Sequence, residues 1–160
     1  MGQGHDSIEV ANIFVDKSQT EPSILGPMTI MSLLKYVYFA HGWTLGRTGK
    51  PLICHKVEAW KFGPVVPQIY HKFGRQGIYI REKEHTSLIP PRKATASLSP
   101  EEESIVNKVY AEYSKVSALR LSAITHKPGS PWHQYRRVHY GTIPNEVIRR
   151  FYENLSEKQS

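Results

Sequence analysis

Residues 29–45, TIMSLLKYVYFAHGWTL, constrain this chain more than any other stretch. Ile30, Leu33, Leu34, Val37 and Tyr38 recur at helical spacing and make one apolar face. Met31, Phe39, Ala40 and Trp43 widen that face until Ser32 and Lys35 are the main polar positions left. A helix apolar on nearly every side has to be enclosed by other elements. Thr29 is its expected N-cap, with Met28 packing over the entry turn, and Gly42 and Gly46 are where it is expected to end. The fold class that follows is mainly α: a single compact helical domain around a buried central helix, with two or three short β-strands.

The remaining elements are read against that helix. Residues 6–16 form a first helix, capped by Asp6 or Ser7 and burying Ile8, Ala11, Ile13, Phe14 and Val15. Residues 52–60 are a short strand or an extended connection. Gly63-Pro64 breaks the chain, and Pro67 opens a helix to Phe73 whose inner side is Ile69, Tyr70 and Phe73. Residues 78–96 are irregular and basic, with room for a small hairpin. Ser99, Pro100 and Glu102 spell a capping box for a helix over 99–115. A shorter helix over 117–125 turns Leu119, Leu121 and Ile124 inward, and Pro144 opens a last one.

A chain of 160 residues is expected to be one domain over 1–160, its core at about 6–155. At that size about 70% of the unfolded surface is buried, so no covalent staple is needed. The single cysteine, Cys54, leaves no internal disulfide and fits a reducing, cytoplasmic setting. No apolar run approaches the ~20 residues that cross a bilayer, so no membrane partner is expected. The net charge of +7 is uneven. Residues 51–100 hold eight basic side chains against three acidic ones, a balance of +5, whereas residues 1–50 balance at zero. Lys72, Arg75, Arg81, Arg92 and Lys93 are thus a possible basic partner surface, for an acidic protein or a nucleic acid.

Catalytic and metal chemistry find little purchase. Cys54 and His55 are adjacent, which on a strand puts them on opposite faces. His126 and His133 are seven apart, wider than zinc-ligand pairs, and no metal or cofactor site is expected. No nucleophile elbow, P-loop or dinucleotide fingerprint is present. The acidic run Glu101 to Glu103 is accounted for by its helix N-terminus. A hydrolase built on His126 is the weakest of the readings.

The most distinctive string is AWKFGPVVP at residues 59–67, in which Trp60 and Phe62 supply apolar area and Gly63 permits a tight approach. Together with VANIF, LLKYVYFAHGW, THKPGSPW and IPNEVIRRFY it resembles the Panacea domain, an antitoxin domain with SocA-like and GepA-like members. The resemblance covers residues 10–151. It implies a mainly helical fold without a catalytic set, and an antitoxin that neutralises a cognate toxin, encoded next door, by direct binding. Many members lie in prophages or other mobile elements. The family motif falls on Leu34, Lys35, Tyr38, Trp60, Phe62, Gly63, Pro64, Val65, Thr125, His126, Pro131 and Trp132, in structural or partner-binding roles. The alternative function is nucleic-acid binding through the basic middle third, with Arg75, Arg81, Arg92 and Lys93 on phosphates.

Overall fold

The computed structural model describes residues 3–86, 89–138 and 141–159. At its centre is the helix the sequence demands, α2 (Ile30–Thr48), capped by the Thr29 hydroxyl accepting from Ser32 N–H at 3.1 Å. It ends at Gly49, whose left-handed backbone returns its N–H to Leu45 O at 2.9 Å. Gly42 and Gly46, expected to stop the helix, lie inside it. Their bare backbones admit α7 (Asn145–Gln159): a Cβ on Gly42 would sit 2.4 Å from the Tyr152 ring, and one on Gly46 2.9 Å from α7 backbone atoms. Close approach, not termination, is the physical reason for both glycines.

Helix α1 (Ser7–Thr20) begins at Asp6, which accepts from Ile8 N–H at 2.8 Å, and continues four residues past the expected 16. Its Phe14 meets Tyr36 of α2 and Tyr110 of α4 (Pro100–Tyr113) with ring centroids 5.6 and 6.5 Å away. Helix α4 starts on the capping box of Ser99 and Glu102. Helices α1, α4 and α7 enclose α2 on most sides, and α3 (Pro67–Phe73), α5 (Ala118–Thr125) and a short sheet close the rest.

The sheet has the order β2-β1-β3, all antiparallel, from β1 (Val57–Trp60), β2 (Gly63–Val65) and β3 (Gly141–Ile143). The open choice at residues 52–60 therefore resolves as a strand over its second half. Helix α6 (Pro131–Tyr135) packs beside β3. The hairpin allowed for within residues 78–96 falls partly on residues 87 and 88, which lie outside the described residues; among the described residues no strand forms there. That stretch instead makes one isolated bridge, Thr29 with Tyr79, and hangs on a buried side chain of α1. Asn12 donates to Glu84 O and Ala94 O at 2.9 and 2.8 Å and accepts from Glu84 N–H at 2.9 Å. An amide that satisfies three backbone groups replaces the ladder a hairpin would have supplied.

Two burial assignments are corrected, one inward and one outward. Leu119, placed on the inner side of α5, is 84% exposed, because that helix buries only the Leu121 and Thr125 edge. Lys35, taken as leftover polar surface of α2, has no exposed area at all.

Candidate functional site

The twelve motif residues belong to α2, the β1–β2 hairpin and the α5–α6 corner, and most of them meet around the hairpin turn. Gly63 follows the turn with φ at +118°, a conformation side chains resist. Beneath it runs the Lys35 side chain, with Thr125 beside it: a Cβ at Gly63 would lie 3.0 Å from Lys35 Cε, 3.2 Å from its Nζ and 3.0 Å from Thr125 Oγ1. The Lys35 ammonium has no hydrogen-bond partner among the described residues. Burial lowers its pKa from 10.5 to about 8, since a charge stripped of water is disfavoured.

The α5–α6 corner clamps the turn from outside. Trp132 Nε1 donates to Trp60 O at 2.6 Å, and Ser122 Oγ donates to Phe62 O at 3.1 Å. The His126 ring packs on Trp132, centroids 3.8 Å apart, with Nδ1 2.5 Å from Ser122 O and Nε2 3.3 Å from Lys61 O. Thr125 Oγ1 donates to Ser122 O, and Ser130 Oγ donates to Thr125 O, each at 2.8 Å. Pro131 is the buried first residue of α6. Trp60 sends its own indole N–H to Glu58 at 2.9 Å and its ring against Tyr70 at 5.1 Å.

Burial divides the motif. Leu34, Lys35, Tyr38, Gly63, Pro64, Val65, Thr125 and Pro131 are buried, and Trp60, Trp132 and His126 are half-buried. Phe62, expected to bury its ring, stands 47% exposed at the tip of the turn. The constellation joins sequence-distant elements and presents one aromatic ring outward. Ser122 and His126 are the nearest thing to a hydroxyl and a base, 3.3 Å apart, yet the Ser122 proton is directed to the Phe62 carbonyl. Cys54 and His55 do not form a pair either: His55 Nδ1 is 2.7 Å from Ser7 Oγ. Among the described residues no group of three or more His, Cys, Asp or Glu could hold a metal ion.

The five basic residues have different surroundings. Lys93 pairs with Glu82 at 3.4 Å, and Arg81 lies over the Tyr79 ring at 5.9 Å. Arg92 is exposed. Lys72 and Arg75, by contrast, line one cavity together. Sequence reasoning also missed a groove of about 270 Å³ between the loop at 23–29 and the α4–α5 corner, lined by Leu25, Met28, Val116 and Ala118 among others. Leu25 of that lining is 57% exposed, and Ile24 and Leu119, each next in sequence to a lining residue, are 88% and 84% exposed. No periodicity signals such residues, because they sit in a loop or at the outer edge of a short helix.

Comparison with known proteins bears directly on the motif cluster. The family described as "Antitoxin SocA-like, Panacea domain" matches residues 33–133, a span that holds Lys35, the hairpin and the whole α5–α6 corner. The chain belongs to this family. The Antitoxin SocA of Caulobacter vibrioides (strain NA1000 / CB15N) is 34% identical over 140 residues, covering 81% of this chain and 70% of that protein. No solved structure matches. The Panacea match includes every motif residue read from the sequence and stops before α7, the helix packed most extensively on α2. Among the described residues no helix is long and apolar enough to cross a membrane.

Proposed function

We propose that this chain is an antitoxin that neutralises a cognate toxin by direct protein–protein binding. The observation that carries the reading is its likeness to the Antitoxin SocA over 81% of its length. The geometry supports a binding role over a catalytic one, since the Trp132 indole and the His126 ring are consumed in holding the hairpin against α5 and α6. Neutralisation then needs an outward surface. Leu25 in the groove and the exposed Ile24 and Leu119 beside its lining in sequence supply apolar area that a partner would cover, and exposed apolar area of this kind marks interaction sites. The toxin would be the product of an adjacent gene, in the cytoplasm, with prophage or another mobile element as the setting.

The nucleic-acid reading is weaker. Lys83 pairs with Asp16 at 3.3 Å and Lys93 with Glu82 at 3.4 Å, which removes part of the cationic surplus that phosphates would meet. The deciding experiment induces the adjacent gene in cells with and without this chain. Growth arrest by the neighbour alone, relieved by co-expression, supports the antitoxin reading; a harmless neighbour, or arrest that persists, overturns it.

A further inference from the structure

A second cavity, of about 260 Å³, lies between the start of α1, the connection before β1 and helix α3. Gln68, His71, Lys72 and Arg75 line it at spacing i, i+3, i+4 and i+7, which places all four on one side of α3 and the 3₁₀ turn that continues it, Gly74–Gln76. His55 and Ile8 form the opposite wall. Among the described residues no carboxylate lines it. Of the acidic side chains close in sequence to that wall, Glu9 follows Ile8 and is not part of the lining, and Asp6 caps α1 through Ile8 N–H at 2.8 Å.

The polar groups here are uncommitted, unlike those of the motif cluster. Among the described residues Gln68, Lys72 and Arg75 make no side-chain hydrogen bond or ion pair, and the His71 ring only packs edgewise on Trp60 and Tyr70. His55 is held in a defined sense. Its Nδ1 accepts from Ser7 N–H at 3.4 Å, with Ser7 Oγ at 2.7 Å, so in the neutral ring the proton lies on Nε2, which has no hydrogen-bond partner among the described residues. The cavity is therefore walled by an ammonium, a guanidinium, an amide and two imidazoles, all able to donate. Two permanent positive charges and this many donors exceed what the two oxygens of a carboxylate can accept. They suit a group with three terminal oxygens and nearly two negative charges.

We propose that this cavity binds a terminal phosphate group, as carried by inorganic phosphate or a phosphomonoester such as a nucleoside 5′-monophosphate. Arg75 and Lys72 hold its charge, Gln68 and His71 bond its oxygens from α3, and His55 Nε2–H closes from the other side. This site is separate from the groove given to the toxin, and it stands or falls independently of the antitoxin reading.

The test follows the ring resonances of His55 and His71 by NMR in the full chain, titrated with inorganic phosphate and with adenosine 5′-monophosphate. Saturable shifts are expected with both, at least tenfold weaker in Lys72→Gln/Arg75→Gln. Gln68→Glu, which puts a carboxylate on the wall at an exposed position, is expected to lose binding likewise and guards against misfolding of the double variant. Adenosine and sodium chloride at matched ionic strength should leave both rings unmoved. Equal shifts from chloride, equal affinity for adenosine, or unchanged phosphate affinity in the variants would overturn the proposal. A trinucleotide with a 5′-phosphate should bind and its unphosphorylated form should not; equal binding of the two would mean a surface for nucleic-acid backbone instead.

Discussion

The Lys35 side chain ends beneath Gly63, 3.2 Å from where a Cβ on that glycine would stand. A buried lysine whose ammonium has no hydrogen-bond partner among the described residues thus forms the floor under a turn whose roof has no side chain. The two positions are far apart in sequence and complementary in shape: length from α2 fills what the hairpin leaves open. Gly63→Ala combines a φ of +118° with contacts at 3.0 Å to Lys35 and Thr125, and is expected to cost about 2–3 kcal/mol in urea unfolding.

Removing the Lys35 charge should stabilise the protein. Burial holds its folded pKa at about 8, below the ordinary lysine value of 10.5, so between those pH values the unfolded chain binds more protons and stability rises with pH. Below pH 8 the full penalty applies, about 3 kcal/mol from the size of the shift. Lys35→Met keeps the volume and drops the charge. We expect it to be more stable than the parent by up to that amount at pH 7, with the difference shrinking from pH 8 to 10 in chemical denaturation. A variant no more stable than the parent at pH 7 would mean that the ammonium has found compensation.

His41 should govern part of the acid limb. It is fully buried, its Nδ1 accepting from the N–H groups of Leu52 and Ile53 at 3.3 and 3.4 Å and its Nε2 donating to Asn145 at 3.0 Å. Burial lowers its pKa from 6.5 to about 4. Stability from the neutral ring is complete above pH 6.5 and is lost as pH falls towards 4, by about 3 kcal/mol. His41→Gln is expected to be less stable at pH 7 yet to lose this slope when unfolding is measured from pH 7 to 4.5.

Gly46→Ala should destabilise although alanine is the better helix former by about 1 kcal/mol. The added methyl would lie 2.9 Å from the backbone of Glu153 and Tyr152, which cannot rotate away. A net loss of about 1–3 kcal/mol in thermal unfolding is expected, from overpacking at the α2–α7 crossing. A gain in stability would show that α7 can retreat.

What the sequence disclosed depended on whether the signal was local. The Ser99 capping box, the Thr29 cap and Pro67 at the first turn of α3 are local chemistry and were legible. Glycines were not, because Gly42 and Gly46 serve a helix arriving over a hundred residues later. Lys35 was misread for the same reason: residue type said surface, and the enclosing elements decided otherwise. The sequence sets Val147, Ile148, Phe151 and Leu155 on the inner side of the last helix; Tyr152 is also buried, against Trp43 and Tyr38 with centroids 5.1 and 6.0 Å away. The motif cluster was named residue by residue from kinship. Its wiring, Trp132 to Trp60 O above all, needed coordinates.

The groove assignment separates surface from scaffold. Leu119 is 84% exposed, so Leu119→Glu is expected to shift stability by no more than about 0.5 kcal/mol while abolishing protection against the toxin. Full protection by a folded Leu119→Glu/Leu25→Glu protein would move the interface elsewhere.

The central claim is that neutralisation is direct binding. The most direct measurement is size-exclusion chromatography of the purified chain mixed with the purified product of the adjacent gene. Co-elution as a complex is expected, and it should disappear with Leu119→Glu/Leu25→Glu. Separate elution of the two proteins, under conditions where co-expression still protects cells, would contradict it.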